Sequence, residues 1–255
     1  MAEDRILDLA QHIAREGECV IFTGAGISTE SGIPDYRSQG GIWDRFRPVT
    51  IDEFMASQEA RIEYWRRKAE LYQHLTDAKP NAAHHAVAGL FRLGVLRAVM
   101  TQNIDGLHQK AGLPDDQVLE LHGSNLRVRC MHCAELSPLE TTYERVRQGD
   151  LAPLCSCGGF LKPDTVSFGQ ALSPDVLSAA EEHCRQCKTI IAVGSTLSVH
   201  PAASLPIVAK QNGATFVIVN LSETELDAMA DLRMAGQAGE VLDRLYQAVQ
   251  EVCSQ

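Results

Sequence analysis

The chain has 255 residues, of which 45% are apolar and 22% are charged. This composition is typical of a globular protein and excludes collagen-like and disordered chains. Twenty-three basic residues against 33 acidic ones give a formal charge of −10, which argues against binding to nucleic-acid phosphates because such binding requires clustered positive charge.

Neither a membrane anchor nor a secretion signal is predicted. No apolar run approaches the ~20 residues that a membrane helix needs. Residues 1–18 carry charges throughout and lack the apolar centre of a signal peptide. We therefore expect a cytoplasmic protein that binds neither membrane nor nucleic acid; its oligomeric state is left open.

Short apolar runs rich in β-branched residues alternate with helix-like stretches along the chain. Such runs are typical of strands buried on both faces. A helix is predicted over residues 82–93, because Asn81 can cap its first turn and Gly94 can take the left-handed closing conformation. The alternation predicts an α/β fold with a Rossmann-like, doubly wound parallel sheet. The predicted strands are residues 19–22, 95–100, 118–121, 189–193 and 215–219.

One stretch, residues 124–162, breaks the alternation and contains four of the eight cysteines. We interpret it as a small zinc-binding module, inserted into a Rossmann-like domain that comprises residues 1–123 and 163–255. Paired cysteines in a reducing compartment favour metal ligation over disulfides. Cys184 and Cys187 lie on a predicted helix that leads into a buried strand, so packing or exposure is a better interpretation for them than metal binding.

The clustered cysteines form two pairs, Cys130-x-x-Cys133 and Cys155-x-Cys157. Four thiolates make a closed tetrahedral zinc site, which is structural rather than catalytic. Residues i and i+2 of an extended segment share a face, so Cys155 and Cys157 can bind one ion. We predict one structural zinc ion; the alternative is a set of free buried thiols.

Glycine or polar residues follow three of the predicted strands, at the sheet edge where ligands bind in doubly wound folds. Gly24 to Gly26 follow the first strand, where exposed N–H groups suit a pyrophosphate. Residues 101–108 follow the second, and their side chains suit a carboxamide, although Asn and Asp also favour plain capping turns. His122 ends the third and is a candidate general base, although a lone histidine is more often structural.

A conventional nicotinamide dehydrogenase fits this pattern poorly. Its fingerprint requires a third glycine where this chain has Thr29. It also requires an acidic residue at the end of the second strand, whereas residues 31–41 read as a polar loop.

Taken together, these segments resemble the sirtuin family over roughly residues 5–250. Departures are small: Tyr36 stands where phenylalanine is usual, Ser195-Thr196 replaces Thr-Ser, Gln170 stands where an acid is common, and the second cysteine pair is one residue shorter. The matching motifs are Gly24-Ala25-Gly26-Ile27-Ser28, residues 31–37, 101–108, 121–123 and 158–164, the cysteine pairs, Phe168-Gly169 and Gly194-Ser195-Thr196-Leu197.

The resemblance implies an NAD-dependent protein-lysine deacylase. In that family the acyl oxygen of an acyl-lysine attacks the ribose carbon that bears nicotinamide, nicotinamide leaves, and a histidine deprotonates a ribose hydroxyl so that the acyl group moves to ADP-ribose. The resemblance therefore implies NAD as a consumed co-substrate, acyl-lysine proteins or peptides as partners, and His122 as the general base.

The resemblance also implies two sets of binding residues. An acyl-lysine peptide is expected to add as a strand between residues 198–200 and the segment formed by Val166, Ser167, Phe168 and Gly169. The residues expected to bind NAD are Gly24, Ala25, Gly26, Ser28, Thr29, Asp35, Tyr36, Arg37, Gln102, Asn103, Ile104, Asp105, Gly194, Ser195, Thr196, Asn220 and Ala238.

Several alternatives stay open at the level of sequence. The same pocket suits ADP-ribosyl transfer or NAD hydrolysis, and the zinc module suits a non-enzymatic binding protein, although the intact His122 argues against the latter. Tyr64 and Arg67 resemble the Tyr-x-x-Arg pair with which sirtuins acting on succinyl- and malonyl-lysine bind the acyl carboxylate. Against this, Arg66, Arg67 and Lys68 also read as a solvated helix face, which leaves acetyl or longer fatty acyl groups as substrates.

Overall fold

The computed structural model of the protein describes residues 2–35 and 47–254. Tyr36 and Arg37, two of the predicted NAD-binding residues, lie outside the described residues. The helices are α1 (Ala2–Glu16), α2 (Ile51–Ala56), α3 (Gln58–Asp77), α4 (Ala82–Arg92), α5 (Leu107–Lys110), α6 (Leu139–Arg147), α7 (Pro174–Gln186), α8 (Leu205–Gln211) and α9 (Ala238–Cys253). The strands are β1 (Cys19–Thr23), β2 (Leu96–Thr101), β3 (Val118–Glu120), β4 (Gly123–Cys130), β5 (Leu136–Pro138), β6 (Leu161–Thr165), β7 (Thr189–Val193), β8 (Thr215–Val219) and β9 (Leu232–Met234).

Within the described ranges, six parallel strands form the large sheet in the order β3-β2-β1-β7-β8-β9. The five predicted strands agree with the observed ones to within one residue at either end. The strand order reverses between β1 and β7, and in open parallel sheets ligands bind at the carboxyl ends of the strands beside such a reversal. The predicted α/β, Rossmann-like fold class is confirmed.

Helices cover both faces of the large sheet, and β1 contributes to both layers. Its side chains alternate between the faces: Ile21 packs in the layer with α1, α4 and α9, whereas Phe22 packs in the layer with α7 and α8. Cys184 and Cys187 lie in the second layer, 0% and 3% exposed, so of the two predicted alternatives, packing and exposure, they adopt packing. None of the described helices is long and apolar enough to cross a membrane.

A second, antiparallel sheet has the order β5-β4-β6. The helices α3 and α6 pack on it around Trp65, which is 1% exposed and whose indole N–H donates to the carbonyl of Leu161 at 3.0 Å. Helix α3 precedes residues 124–162 in the chain, yet it packs on their strands. The domain boundaries at 124 and 162 stay a prediction.

The four clustered cysteines lie where the strands of the second sheet end. Their Sγ atoms are all within 4.8 Å of one another, with 3.5 Å between Cys130 and Cys157 and 3.8 Å between Cys133 and Cys155. A tetrahedral zinc ion with Zn–S bonds of ~2.3 Å places its sulfur ligands ~3.8 Å apart. Cys133 and Cys157 are exposed, unlike buried core thiols. The cluster therefore fits a structural zinc site.

Two observations explain how the short second pair reaches the cluster. Gly158 has a φ of +83°, a left-handed conformation that turns the chain directly after Cys157. A Cβ on Gly159 would lie 2.6 Å from the Sγ of Cys130 and 2.6 Å from the Cβ of His132, so only glycine fits beside the thiolates. The N–H groups of His132 and Cys133 donate to Cys130 Sγ at 3.4 and 3.5 Å, which stabilises the metal-binding thiolate.

We predict that Cys157→Ser loses bound zinc and lowers Tm by about 5 °C or more, because the three thiolates that remain cannot complete the tetrahedral site. The measurements are metal analysis per chain and thermal unfolding. The matched control is Cys253→Ser, which changes an exposed cysteine at the end of α9. Full zinc occupancy in Cys157→Ser, or a wild-type protein purified without zinc, would contradict the assignment.

A second prediction concerns Asn81, which caps α4 as expected: its Oδ1 accepts from the N–H of Ala83 at 3.0 Å. Its Nδ2 also donates to the carbonyl of Ile27 at 2.8 Å and to Ser31 Oγ at 3.0 Å, which joins α4 to the loop after β1. Asn81→Ala should therefore cost about 2–3 kcal/mol in free energy of unfolding.

The control for Asn81→Ala is Ser57→Ala, because Ser57 accepts from the N–H of Ala60 at 3.2 Å and donates to Glu59 at 2.7 Å, both within the first turn of α3. Its loss should cost only about 1 kcal/mol. Urea unfolding measures both variants. Equal costs would show that the contacts of Asn81 with the loop contribute nothing.

Candidate active site

A cavity of about 1060 Å³ opens at the carboxyl edge of the large sheet. One part of its wall comes from the segments that follow β1, β2, β7 and β8. The other part comes from β6 of the antiparallel sheet and from α3, which packs on that sheet. Most of the residues predicted to bind NAD or substrate line it, although they are spread over the chain from Ala25 to Ala238. Those that line it are Ala25, Gly26, Thr29, Asp35, Tyr64, Arg67, Gln102, Asn103, Ile104, His122, Val166, Ser167, Phe168, Gly169, Gly194, Ser195, Thr196, Asn220 and Ala238.

The loops after β1 and β7 touch each other at the strand-order reversal, and glycines make this contact possible. A Cβ on Gly24 would lie 2.7 Å from the carbonyl oxygen of Gly194, and a Cβ on Gly26 would lie 2.7 Å from the Cα of Gly194. The N–H of Gly26 donates to the carbonyl of Gly194 at 2.8 Å, and that of Gly24 to Val193 at 3.0 Å. The two glycines are therefore required for loop packing, independently of the pyrophosphate for which their donors were predicted.

The loop after β2 holds Asn103 at the wall of the cavity by contacts behind it. Asn103 is 9% exposed, and its Nδ2 donates to the carbonyl of Gly24 at 3.1 Å and to Ser28 Oγ at 3.0 Å. Ser28 in turn donates to Asp105 Oδ2 at 2.7 Å. Gly24, Ser28 and Asp105 do not line the cavity, although they were predicted to bind NAD. They support Asn103, which does line the cavity.

Asp105 is 5% exposed, and burial raises the pKa of its carboxyl group. Hydrogen bonds from the N–H of Leu107 at 2.9 Å and from Ser28 oppose this shift by stabilising the carboxylate. The carboxylate is thus occupied by protein donors and keeps the loop in one conformation.

The far end of the cavity is formed by the segments that follow β7 and β8 and by the start of α9. Ser195 Oγ donates to Gln102 Oε1 at 2.8 Å, which connects the loop after β7 to the loop after β2. Asn220 follows β8 directly and donates to the carbonyl of Ser222 at 3.0 Å. Ala238 begins α9 as predicted.

His122 lines the cavity from the turn between β3 and β4. Its Nδ1 lies 3.0 Å from the carbonyl oxygen of Gln102, and since a carbonyl only accepts, Nδ1 carries the proton. Its Nε2 therefore keeps the lone pair. Burial lowers the pKa of His122 below its usual 6.5, so the imidazole is neutral at pH 7. This is the state that a general base requires.

The segment from Val166 to Gly169 continues β6 past His122. The N–H of Val166 donates to the carbonyl of His122 at 2.9 Å, and Phe168 is 48% exposed. Gln170, which departs from the family pattern, accepts from the N–H of Ser167 through its side chain at 3.1 Å. Residues 199–201 line the cavity as well.

Three residues of α3 line the cavity: Tyr64, Arg67 and Lys68. The hydroxyl of Tyr64 lies 3.1 Å from Thr165 Oγ1. Arg67 pairs with Glu63 at 2.6 Å and also donates to the carbonyl of Arg47. Lys68 Nζ donates to Asn125 Oδ1 at 3.1 Å, and burial lowers its pKa to about 8.

The interpretation of this stretch as a solvated face is wrong for Lys68. It is right for Arg66, whose side chain is 58% exposed and pairs with Glu63 at 2.7 Å.

Sequence analysis also missed lining residues such as Glu30, Leu221 and Ser222. Leu221 and Ser222 follow β8 directly, so the rule that ligands bind at strand carboxyl ends was sufficient to find them. Glu30 could not be found in this way, because its Oε2 accepts from the N–H of Gly239 at 2.8 Å across 209 residues.

Comparisons with known proteins agree with this geometry. Residues 24–201 match the model of the Sir2 family. The chain is 42% identical over 247 residues to an NAD-dependent protein deacetylase of Thermodesulfovibrio yellowstonii, with 96% of each chain covered. It is 39% identical over 254 residues to NAD-dependent protein deacylase 2 of Archaeoglobus fulgidus, with 99% of each covered.

Among solved structures, a Sir2 homologue in complex with NAD superposes with a TM-score of 0.86 at 38% identity, covering 96% of this chain and 94% of that one. A family match over more than half of the chain, together with relatives of this identity over nearly its whole length, leaves one conclusion. This chain belongs to the Sir2 family.

Proposed function

We propose that this chain is an NAD-dependent protein-lysine deacylase that transfers the acyl group of an acyl-lysine to ADP-ribose and releases nicotinamide. One observation carries the proposal: a single cavity brings together His122, the Gln102-Asn103 loop and the segment 166–169. The curated relatives, named as NAD-dependent deacetylases and deacylases, support the same activity.

When bound, NAD supplies the ribose carbon from which nicotinamide leaves and the hydroxyl that accepts the acyl group. The contact between the loops after β1 and β7 divides the lining residues into two groups, and each group binds one half of NAD. Asn103 and Gln102 orient the nicotinamide half, because they lie on the side of β2. Ser195, Thr196, Asn220 and Ala238 hold the adenosine half, because they follow β7 and β8 or begin α9.

His122 takes the proton of the ribose hydroxyl at Nε2. Its Nδ1–H bond to the carbonyl of Gln102 fixes the tautomer, so the lone pair is on the other nitrogen. The same bond stabilises the imidazolium that forms when the proton is taken up, since the carbonyl dipole favours the charged ring.

The peptide adds as a strand beside residues 166–169, with residues 198–200 opposite, of which Val199 and His200 line the cavity. Strand addition recognises backbone groups, which supports broad sequence tolerance around the acyl-lysine. The same strand favours deacylation over ADP-ribosyl transfer or NAD hydrolysis, since neither of these needs a lysine channel next to the base. Eight free thiols, four of them in a metal-type cluster, support a cytoplasmic location.

We predict that His122→Ala lowers the rate of deacylation by about 10²–10⁴-fold while ADP-ribose binding and Tm stay near wild type, because a general base contributes that factor. A coupled nicotinamide-release assay with an acetyl-lysine peptide measures the rate, and calorimetry measures ADP-ribose binding. Release of nicotinamide by the wild type without any acyl-lysine would instead favour an NAD hydrolase.

The pH dependence of the wild type serves as an internal check on His122. A protonated imidazole cannot accept a proton, so kcat/KM should fall as pH is lowered through a pKa below 6.5. Because the pKa of His122 is lowered, activity on the acetyl peptide should be nearly constant from pH 7 to pH 8. A midpoint above pH 7 would contradict this role of His122.

Within this activity, the residues of α3 support selectivity for acidic acyl groups such as succinyl. Tyr64, Arg67 and Lys68 meet at one wall of the cavity, and two of them are cations. Lys68 has a neutral partner, Asn125, and is desolvated, so an incoming carboxylate would gain a charge-assisted bond there. Arg67 already pairs with Glu63, which reduces what it gains from a second carboxylate.

We predict that Arg67→Met lowers kcat/KM for a succinyl-lysine peptide about 30-fold, which corresponds to about 2 kcal/mol of transition-state stabilisation. The value for the acetyl peptide should change little. Lys68→Met should likewise lower kcat/KM for the succinyl peptide and leave that for the acetyl peptide nearly unchanged. The matched control is Arg66→Met, because Arg66 lies on the same helix but faces solvent. Equal losses on both substrates, or no loss on either, would remove α3 from acyl recognition.

A further inference from the structure

A chain of hydrogen bonds runs behind the cavity from His108 to the backbone of Asn103. His108 Nε2 lies 3.0 Å from Thr23 Oγ1, and Thr23 Oγ1 donates to Thr101 Oγ1 at 2.8 Å. Thr101 Oγ1 also accepts from the N–H of Asn103 at 3.0 Å. Thr23 and Thr101 are register partners at the ends of β1 and β2. Every member of the chain is buried, with Asn103 the most exposed at 9%.

The direction of each bond follows from counting protons. Thr23 has one hydroxyl proton and gives it to Thr101, so towards His108 it can only accept. His108 must therefore carry its proton on Nε2 and donate to Thr23. Within the described part of the chain its Nδ1 has no hydrogen-bond partner. The tautomer is thus set by the hydroxyls at the strand ends.

The surroundings of His108 keep it neutral. It is 1% exposed, and its ring centroid is 5.0 Å from that of His84, which is also fully buried. Burial, and secondarily His84, lower the pKa of His108 to about 3. A neutral imidazole with a fixed tautomer retains its donor at any pH at which the protein works.

We propose that His108 is a positioning residue for the nicotinamide side of the site, which acts through Thr23 and Thr101 on the backbone of Asn103. The proposal rests on the deacylase function inferred above. Asn103 is then held at two points: its backbone by Thr101, and its side chain by Gly24 and Ser28. Loss of the first point leaves the side chain attached while the loop shifts, so nicotinamide is misaligned but the adenosine wall is unchanged.

The test uses Thr23→Val, which removes the central hydroxyl and keeps the shape of the side chain. Thr23→Ser restores the hydroxyl and serves as the rescue. The matched control is Thr189→Val, because Thr189 is 0% exposed on the neighbouring strand β7 and its hydroxyl has no partner among the described residues. His108→Gln, which returns an N–H donor, is compared with His108→Leu.

Three quantities are measured for each purified zinc-loaded protein: kcat/KM for NAD, Kd for ADP-ribose, and hydrogen exchange of residues 101–105 without ligand. Thr23→Val and His108→Leu should lose about tenfold in kcat/KM, since a buried donor or acceptor left unpaired weakens the loop. Their exchange in residues 101–105 should be faster, while Kd for ADP-ribose changes by less than about twofold, because ADP-ribose lacks the nicotinamide that Asn103 orients. Thr23→Ser, His108→Gln and Thr189→Val should stay within about threefold of wild type in kcat/KM.

Either of two results would overturn the proposal. One is wild-type exchange and kcat/KM in Thr23→Val. The other is a loss of ADP-ribose affinity that matches the loss of kcat/KM, which indicates general damage. A wild-type protein that released no nicotinamide would refute the proposed function, and hydrogen exchange of residues 101–105 would still decide the positioning role.

Discussion

The contact between the loops after β1 and β7 is the constraint on which the rest of the site depends. Gly24 and Gly26 meet Gly194 so closely that no Cβ fits at either position in β1's loop. The two loops leave the sheet on opposite sides of the strand-order reversal, so their contact closes the floor of the cavity. The cavity-lining residues that were predicted to bind NAD lie on one side or the other of this contact.

Polar residues close to the contact form most of their hydrogen bonds with each other. Gly24, Ser28 and Asp105 hold Asn103, and Ser195 holds Gln102, so the groups that face the cavity are supported by groups behind it. Such buried polar networks are stable only when nearly every donor and acceptor is paired. Substitution of a supporting residue should therefore disturb the lining residue that it holds.

The second sheet contributes the other wall, and the four-cysteine cluster that fits a zinc ion lies beside its strands. Its hydrophobic core is small, with Trp65, Val128 and Leu161 among the few buried side chains. Units with so little buried apolar surface commonly need a metal or disulfides. Because β6 continues into residues 166–169, the antiparallel sheet is joined directly to a segment that lines the cavity beside His122.

The sequence by itself predicted five strands of the large sheet, helix α4 and the residue types available for chemistry at the strand ends. Buried β-branched runs set the strands of the large sheet, Asn81 and Gly94 set the ends of α4, and the cysteine spacing indicated a metal cluster before any geometry was known. These are local signals, in which neighbouring residues carry the information. Which polar residues follow which strand was also readable, and with it the edge of the sheet where the site lies.

Only the tertiary structure decided which of these residues face the cavity. Asp105 and Ser28 turn away to support Asn103, Lys68 turns in although its neighbour Arg66 faces solvent, and Glu30 reaches the start of α9. β5 of the antiparallel sheet and β9 of the large sheet were not predicted, because each is three residues long and contains no β-branched residue. A side chain's direction at a strand end depends on packing partners that are distant in the chain, and no local pattern records them.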